Sequence, residues 1–329
     1  MLKRIIAGFA LAAVVATGAM VAQASAQTIE WRGGSIGGGW YTIVSGAAKL
    51  LEDKVPGLTV KAVPGGGAAN PVAVQQGQAQ LALSIDIFAA MAAGATGTYQ
   101  GRPAADKLRM IGQSFGDTPY HFIRASGQTM DMATLFREGR NIRFGGANNG
   151  ATDEIALRWL LAHYGHTYDS LRARGWRFTL AAYADVAAAY RDNQIDYAFF
   201  ALGLPGSAVI DMATGRDGEL LDIPQDVLDG FKQRYGMGSG VIPGGTYPRF
   251  HGTRDVRTLV MATTLVTSSD VAEDVVYRIT KAICENVADL PRIHGSLKDY
   301  RCETAVLSRP VPVHPGALRY YRERGIAQN

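Results

Sequence analysis

A short strand, a run of glycines and a helix follow one another twice in this chain, and that repeated order restricts the fold more than any other feature of the sequence. In the first case TIEWR runs into GGSIGGGWYTIVSG at 33–46, where five glycines precede a segment with Ile43, Ala47, Leu50 and Leu51 at helical spacing. In the second, NIRF runs into GGANNG at 145–150 and then ATDEIALRWLLAHYG, with Asp153 and Glu154 placed to complement the dipole of a first helical turn. Glycine lets the backbone approach a ligand closely, and the helix N-terminus behind such a loop offers unpaired N–H groups and a partial positive charge. Each loop is therefore either a seat for an anion or a turn that serves packing alone.

The pattern continues between and after these units. LTVKAVP and QAQLALSI read as strands and DIFAAMAAG as a helix, while GGGAANPVAVQQG reads as a loop and short helix with Asn70 as N-cap and Pro71 at the first helical position. LRMIGQSFGDTPYHFIRAS gives two extended runs about a turn, and WRFTLAAY, DVAAAYRDN, IDYAFFALG, LPGSAVIDMATG and ELLDIP alternate strand with helix. VRTLVMATTLVTSS is the longest β-branched run and reads as one strand crossing back. It precedes a long helix in SDVAEDVVYRITKAICENVADL and a last one in PVPVHPGALRYYRERG. This alternation, without a low-complexity linker, predicts an α/β chain of two lobes joined by crossing strands, with a hinge over a cleft. The expected division is 27–118 with 257–329 in lobe I and 119–256 in lobe II.

Ahead of these elements, Lys3 and Arg4 precede the apolar run IIAGFALAAVVATGAMVA, and Ala24 and Ala26 form a small-x-small cleavage pattern. The expectation is a secretory leader over 1–26, with an uncleaved anchor as the alternative, and a soluble exported chain from residue 27. The formal charge of +4 includes Lys3 and Arg4, so the exported chain stands near +2, which gives no argument for nucleic acid. Cys284 and Cys302 are the only cysteines. In an oxidising compartment the pair suggests a disulfide, the alternative being two buried thiols; two lone cysteines do not make a metal site.

Several catalytic patterns fail on their residues. GGSIGGGWYT lacks the lysine and hydroxyl that end a phosphate-binding P-loop, and its glycines are not spaced for a dinucleotide. GQSFG at 112–116 matches the nucleophile elbow G-x-S-x-G, but an elbow needs a helix after Ser114, and DTPYHFIRAS is extended. His163 and His166 in HYGH flank a helix end with no carboxylate cluster beside them. No cofactor, metal site or catalytic set is expected.

GGSIGGGWYTIVSGAAKLLE, VPGGGAANPVAVQQGQAQLALSIDIFAAMAAG, IDYAFFALGLP, VIPGGTYP and VHPGALRYYRERG resemble, in that order and over nearly all of the exported chain, the TAXI family, the extracytoplasmic solute receptors of tripartite (TRAP-type) transporters. The resemblance implies a fold like that of type II periplasmic binding proteins, two α/β lobes closing on a ligand. It implies a periplasmic, monomeric receptor for a small carboxylate (dicarboxylate, 2-oxoacid or amino acid), with TRAP-type permease subunits as partners. The implied ligand contacts are Gly38, Gly39, Trp40 and Tyr41 in the first lobe, with Ser84 and Asp86 in S-I-D, where many members read Q-S-D. In the second lobe they are Asn148, Asn149 and Thr152, where GGANNG replaces G-A-P-G-S-G-T. These departures suggest a related acid lacking the α-amino group. Two other readings are a sensor input for a membrane histidine kinase and a secreted hydrolase using Ser114.

Overall fold

The computed structural model describes residues 27–36 and 38–327; the leader expected over 1–26 lies outside them. The first stretch of chain supplies β1 (Gln27–Arg32), α1 (Gly39–Lys54), β2 (Leu58–Val63), α2 (Asn70–Gln75), β3 (Leu81–Ile85), α3 (Asp86–Ala93) and β4 (Leu108–Gln113). The middle stretch opens with β5 (Thr118–Ala125), α4 (Met132–Glu138), β6 (Arg143–Ala147), α5 (Thr152–His163), α6 (Tyr168–Arg172), β7 (Arg177–Ala181) and α7 (Tyr183–Arg191). It continues with β8 (Tyr197–Ala201), α8 (Ser207–Gly215), β9 (Gly218–Leu220), α9 (Gln225–Tyr235), β10 (Gly238–Ile242), α10 (Pro248–His251) and β11 (Val256–Met261). The last stretch adds β12 (Thr263–Ser268), α11 (Glu273–Glu285), α12 (Leu290–Ile293) and α13 (Pro315–Glu323).

Two sheets take up these strands. The first runs β2-β1-β3-β12-β4, with β1 parallel to β2 and β3 and with β12 antiparallel to both its neighbours. The second runs β10-β11-β5-β8-β6-β7, with β9 also on β5; β6 is parallel to β7 and β8. Every residue of β3 (LALSI), β8 (YAFFA) and β12 (TTLVTS) is buried, which explains why these stretches show no alternation of apolar and polar residues.

The chain crosses between sheets twice, and both crossings differ from the expected boundaries. Thr118 already begins β5 of the second sheet, and β11 pairs with β10 and β5 there, so 257–261 belong to the second sheet, not the first. The run VRTLVMATTLVTSS is thus two strands broken at Ala262, one in each sheet. The sequence shows no break because both halves are buried and β-branched. The crossings are tied side by side: the Thr263 N–H donates to Asp117 Oδ1 at 2.9 Å, and Thr263 Oγ1 donates to the Gly116 carbonyl at 2.8 Å.

The C-terminal segment locks under the first sheet. His314 accepts the Gly316 N–H at Nδ1 (3.1 Å) while Nε2 meets the Val271 carbonyl at 3.1 Å, so the ring carries its proton on Nε2. Gly316 lies so close to α11 that a Cβ there would stand 2.1 Å from the Glu273 carbonyl oxygen, and Tyr321 donates to the Ile111 carbonyl. H-P-G-A-L-R-Y-Y is therefore a packing device. Cys284 and Cys302 form a disulfide across 18 residues, joining the end of α11 to the turn behind β4. Replacing both by serine should lower the unfolding free energy by about 3 kcal/mol, by loosening the unfolded chain. Urea unfolding of the variant against the oxidised protein measures this, and an unchanged midpoint would contradict it.

Candidate functional site

The loops that follow β1, β2, β6, β7 and β8 leave the carboxyl ends of their strands and face one another around a cavity of about 250 Å³. Open α/β sheets place ligands at that edge. Three helices begin at the cavity wall: α1 behind Gly38, α5 behind Ala151 and α7 behind Ala182, and no side chain caps any of them. The N–H groups of Tyr41 and Asp185 fold back on the carbonyls of Gly38 and Ala182, so the cavity meets the N–H groups at the very start of each helix and the dipoles, each equivalent to roughly half a positive charge. Side-chain donors join them. Thr118 Oγ1, Thr152 Oγ1 and Trp40 Nε1 line the same space, are buried and have no hydrogen-bond partner; Thr118 and Thr152 are each 5% exposed. Among the described residues, lysine, arginine and histidine are absent from the lining. The wall therefore favours an anion through neutral dipoles and hydroxyls, and it fits a ligand of roughly eight water volumes at about 30 Å³ each.

Asn70 shapes the first-lobe half of this wall. It is fully buried, its Nδ2 donates to the Gly33 and Leu83 carbonyls at 2.9 and 2.7 Å, and its Oδ1 accepts the Gly66 N–H at 3.1 Å. The cap position of α2 is Ala69, so Asn70 does not cap its helix as expected; it binds two glycine loops to the end of β3. Ser84 Oγ supports the same corner by donating to the Gly67 carbonyl at 2.8 Å.

The second-lobe half is held by Asp153, which is 4% exposed. Its Oδ2 accepts the Tyr183 hydroxyl at 2.7 Å and the Ala201 N–H at 2.8 Å, tying the starts of α5 and α7 to the end of β8. Burial pushes this carboxyl up to about 6. The neutral acid's contribution to stability is full below about 3.8 and is lost as pH rises through 6, so above 6 the buried charge destabilises the fold. Asp153→Asn keeps an acceptor for both donors and removes the charge. It should match the native protein near pH 4 and exceed it by up to about 3 kcal/mol at pH 8, read as denaturation midpoints at both pH values.

The lobes meet around the cavity. A Cβ added at Gly67 would lie 2.6 Å from Thr152 Oγ1, and one at Gly38 would lie 3.3 Å from the Tyr183 ring. Farther out, Phe88 of α3 stacks on Trp159 of α5 at 5.7 Å, and Trp159 stacks on Tyr235 of α9 at 4.0 Å.

Of the residues expected from sequence, Gly38, Gly39, Trp40, Asn148, Asn149 and Thr152 line the cavity. Tyr41, Ser84 and Asp86 do not. One residue of helix turns the side chain by about 100°, so Trp40 faces the cavity while Tyr41 faces an outer groove beside Lys49 and Arg292. Ser84 is fully buried behind the wall. Asp86 accepts the Ile87 N–H at the start of its own helix, and burial, together with the charge of Asp117, raises it to about 6. The S-I-D departure therefore says nothing about the ligand's amino group. Ser114 has φ 59° and leads into β5, so GQSFG lacks the helix of a nucleophile elbow. Thr118, Tyr183 and Asp153 also line the cavity, beyond the residues expected from sequence. Asp153 was visible only as a first-turn acid, and Tyr183 carried no local signal.

Comparison with known proteins agrees with this architecture. The periplasmic binding protein BugD superposes with a TM-score of 0.52 at 13% identity, over 91% of this chain and 94% of that one. A TRAP periplasmic solute binding protein from Pseudomonas aeruginosa PAO1 with bound L-malate gives 0.45 at 9% identity over 92% and 91%. A TctC solute binding protein from Polaromonas gives 0.45 at 15% over 83% and 86%. The BugD match establishes a two-lobed periplasmic-binding-protein fold. The sequence model described as the NMT1-like family matches residues 32–325, and the chain belongs to that family.

Proposed function

We propose that this chain is a periplasmic receptor of the TAXI type, which captures a small carboxylate between its lobes and delivers it to a TRAP-type membrane permease. The observation that carries the reading is the convergence of three uncapped helix N-termini, from both lobes, on a cavity where two buried threonine hydroxyls lack partners and, among the described residues, no cationic side chain lines the wall. A carboxylate takes several N–H and O–H donors at once, and charge-assisted bonds of that kind are the strong ones. Binding makes and breaks no covalent bond. The ligand bridges the lobes, favours the closed arrangement and so shifts the population that the permease meets.

The test is a thermal-shift screen of residues 27–329 against mono- and dicarboxylates, 2-oxoacids and amino acids, followed by calorimetry. A ligand at about 100 times its Kd stabilises the fold by about 2.7 kcal/mol. One acid that shifts the melt and is weakened by Thr152→Val supports the reading. A protein purified free of ligand that responds to no member of the panel overturns it.

A further inference from the structure

Asp153 puts an acid into a wall otherwise built to attract anions. It lies on the first turn of α5, it lines the cavity, and it has neutral donors only: the Tyr183 hydroxyl and the Ala201 N–H. Among the described residues no cation pairs with it. The groups that share its surroundings are Tyr183 from α7, Thr118 and Tyr120 from β5, Trp40 from α1 and Met261 from β11, all neutral, and the one imidazole behind the lining, His294 against Gly39 and Gly203, is held below its usual range by burial. Both tyrosines are held protonated, well above their usual range, by burial and by the charge of Asp153. Charges on the same elements point elsewhere. Glu154 is engaged by Arg158, Tyr168 and the Gly150 N–H, Asp117 holds the Thr263 N–H, and Asp185 of α7 is exposed.

A carboxylate entering so small a cavity would face this buried charge with no counterion between them. We propose that Asp153 accepts a proton from solvent as the ligand's carboxylate binds, so that capture of one anion is coupled to uptake of one proton at this residue. The proposal rests on the carboxylate reading above. Protonated, Asp153 no longer repels the ligand and gains an O–H that can donate to it. Burial has already brought the group to about 6, so the like charge of the ligand needs only to carry it past neutrality. The balance is simple: one proton leaves the buffer and no bond other than O–H forms.

Calorimetry of residues 27–329 with succinate, and with formate as the smallest carboxylate, in buffers of different ionisation heat at pH 7, counts the protons. The expected result is uptake of close to one proton per anion, with affinity falling about tenfold per pH unit above 6 until the bound form also ionises. In Asp153→Asn the uptake disappears and the pH dependence flattens. Asp86→Asn, which removes an acid raised to the same degree but outside the cavity, keeps both. Binding without proton uptake in the native protein, or uptake that survives Asp153→Asn, overturns this inference and leaves the carboxylate reading standing. If neither anion binds, the panel acid that shifts the melt takes their place in the same titration, and a protein that responds to no acid removes both readings.

Discussion

Asn70→Ala should lower the unfolding free energy by about 4 kcal/mol and weaken ligand capture with it. The substitution leaves the Gly33 and Leu83 carbonyls and the Gly66 N–H without their partner, in a place that is fully buried. Each buried polar group so orphaned costs about 1–3 kcal/mol. The loss falls on the site as well as the fold, because the three groups belong to the two glycine loops of the first lobe and to β3, the strand beside β1. Asn70→Asp keeps the shape but turns two donors into acceptors aimed at carbonyls, so it should destabilise at least as much, and more as pH rises. Gln75→Ala on the same helix removes only exposed bonds and should change stability by less than about 0.5 kcal/mol. Urea denaturation of the three variants decides the matter. A loss under about 1 kcal/mol for Asn70→Ala would mean that the loops find other partners.

The fold is legible in the sequence where a local signal and the tertiary environment agree. Strand, glycine loop and helix at 27–54 and at 143–163 are legible because glycine runs, apolar spacing and first-turn acids all act within a few residues. The second crossing at Ala262 was not legible. β11 and β12 are each apolar and β-branched for separate reasons, one as part of the second sheet and one as the buried centre of the first, and nothing at their junction marks the change. The site divides in the same way. Trp40 and Thr152 follow from being near a helix start after a glycine loop. Tyr41 fails by a single helical step, and Ser84 fails because its hydroxyl supports Gly67 from behind. Asn70 shows the limit most clearly: its position before Pro71 suggests a cap, whereas its partners lie at Gly33 and Leu83, distances along the chain that no local pattern reaches. The tail motif, the most specific part of the resemblance, holds α13 against α11 and touches no ligand-facing group.

Gly67→Val is expected to weaken capture of the acid found by screening on the order of a hundredfold while leaving each lobe folded. A Cβ at this position would stand 2.6 Å from Thr152 Oγ1, closer than real Cβ atoms approach, and 3.2 Å from the Trp40 ring, a tight contact to which the ring must yield by a few tenths of an ångström. The loop cannot retreat, since Ser84 holds the Gly67 carbonyl and Asn70 holds the Gly66 N–H. The Thr152 backbone cannot retreat cheaply either, because it begins α5, whose next residue is fixed to Tyr183 and Ala201, and the methyls of valine reach farther than the Cβ that a turn of the Thr152 hydroxyl would clear. Relief must come from moving the lobes apart. Overpacking of this kind costs about 1–3 kcal/mol, and because the Thr152 contact is suffered only in the closed form, most of it appears as lost affinity, while the Trp40 contact within the first lobe adds a smaller loss of stability. Small-angle scattering should therefore report a larger radius of gyration with only a small fall in urea midpoint. Gly66→Ala serves as the control, since its added carbon meets no atom within 4 Å and should leave the closed form as it is. A Gly67→Val protein that binds with native affinity at a native radius would show that the edge at 65–67 yields, and that closure is governed by the outer stack of Phe88, Trp159 and Tyr235 instead.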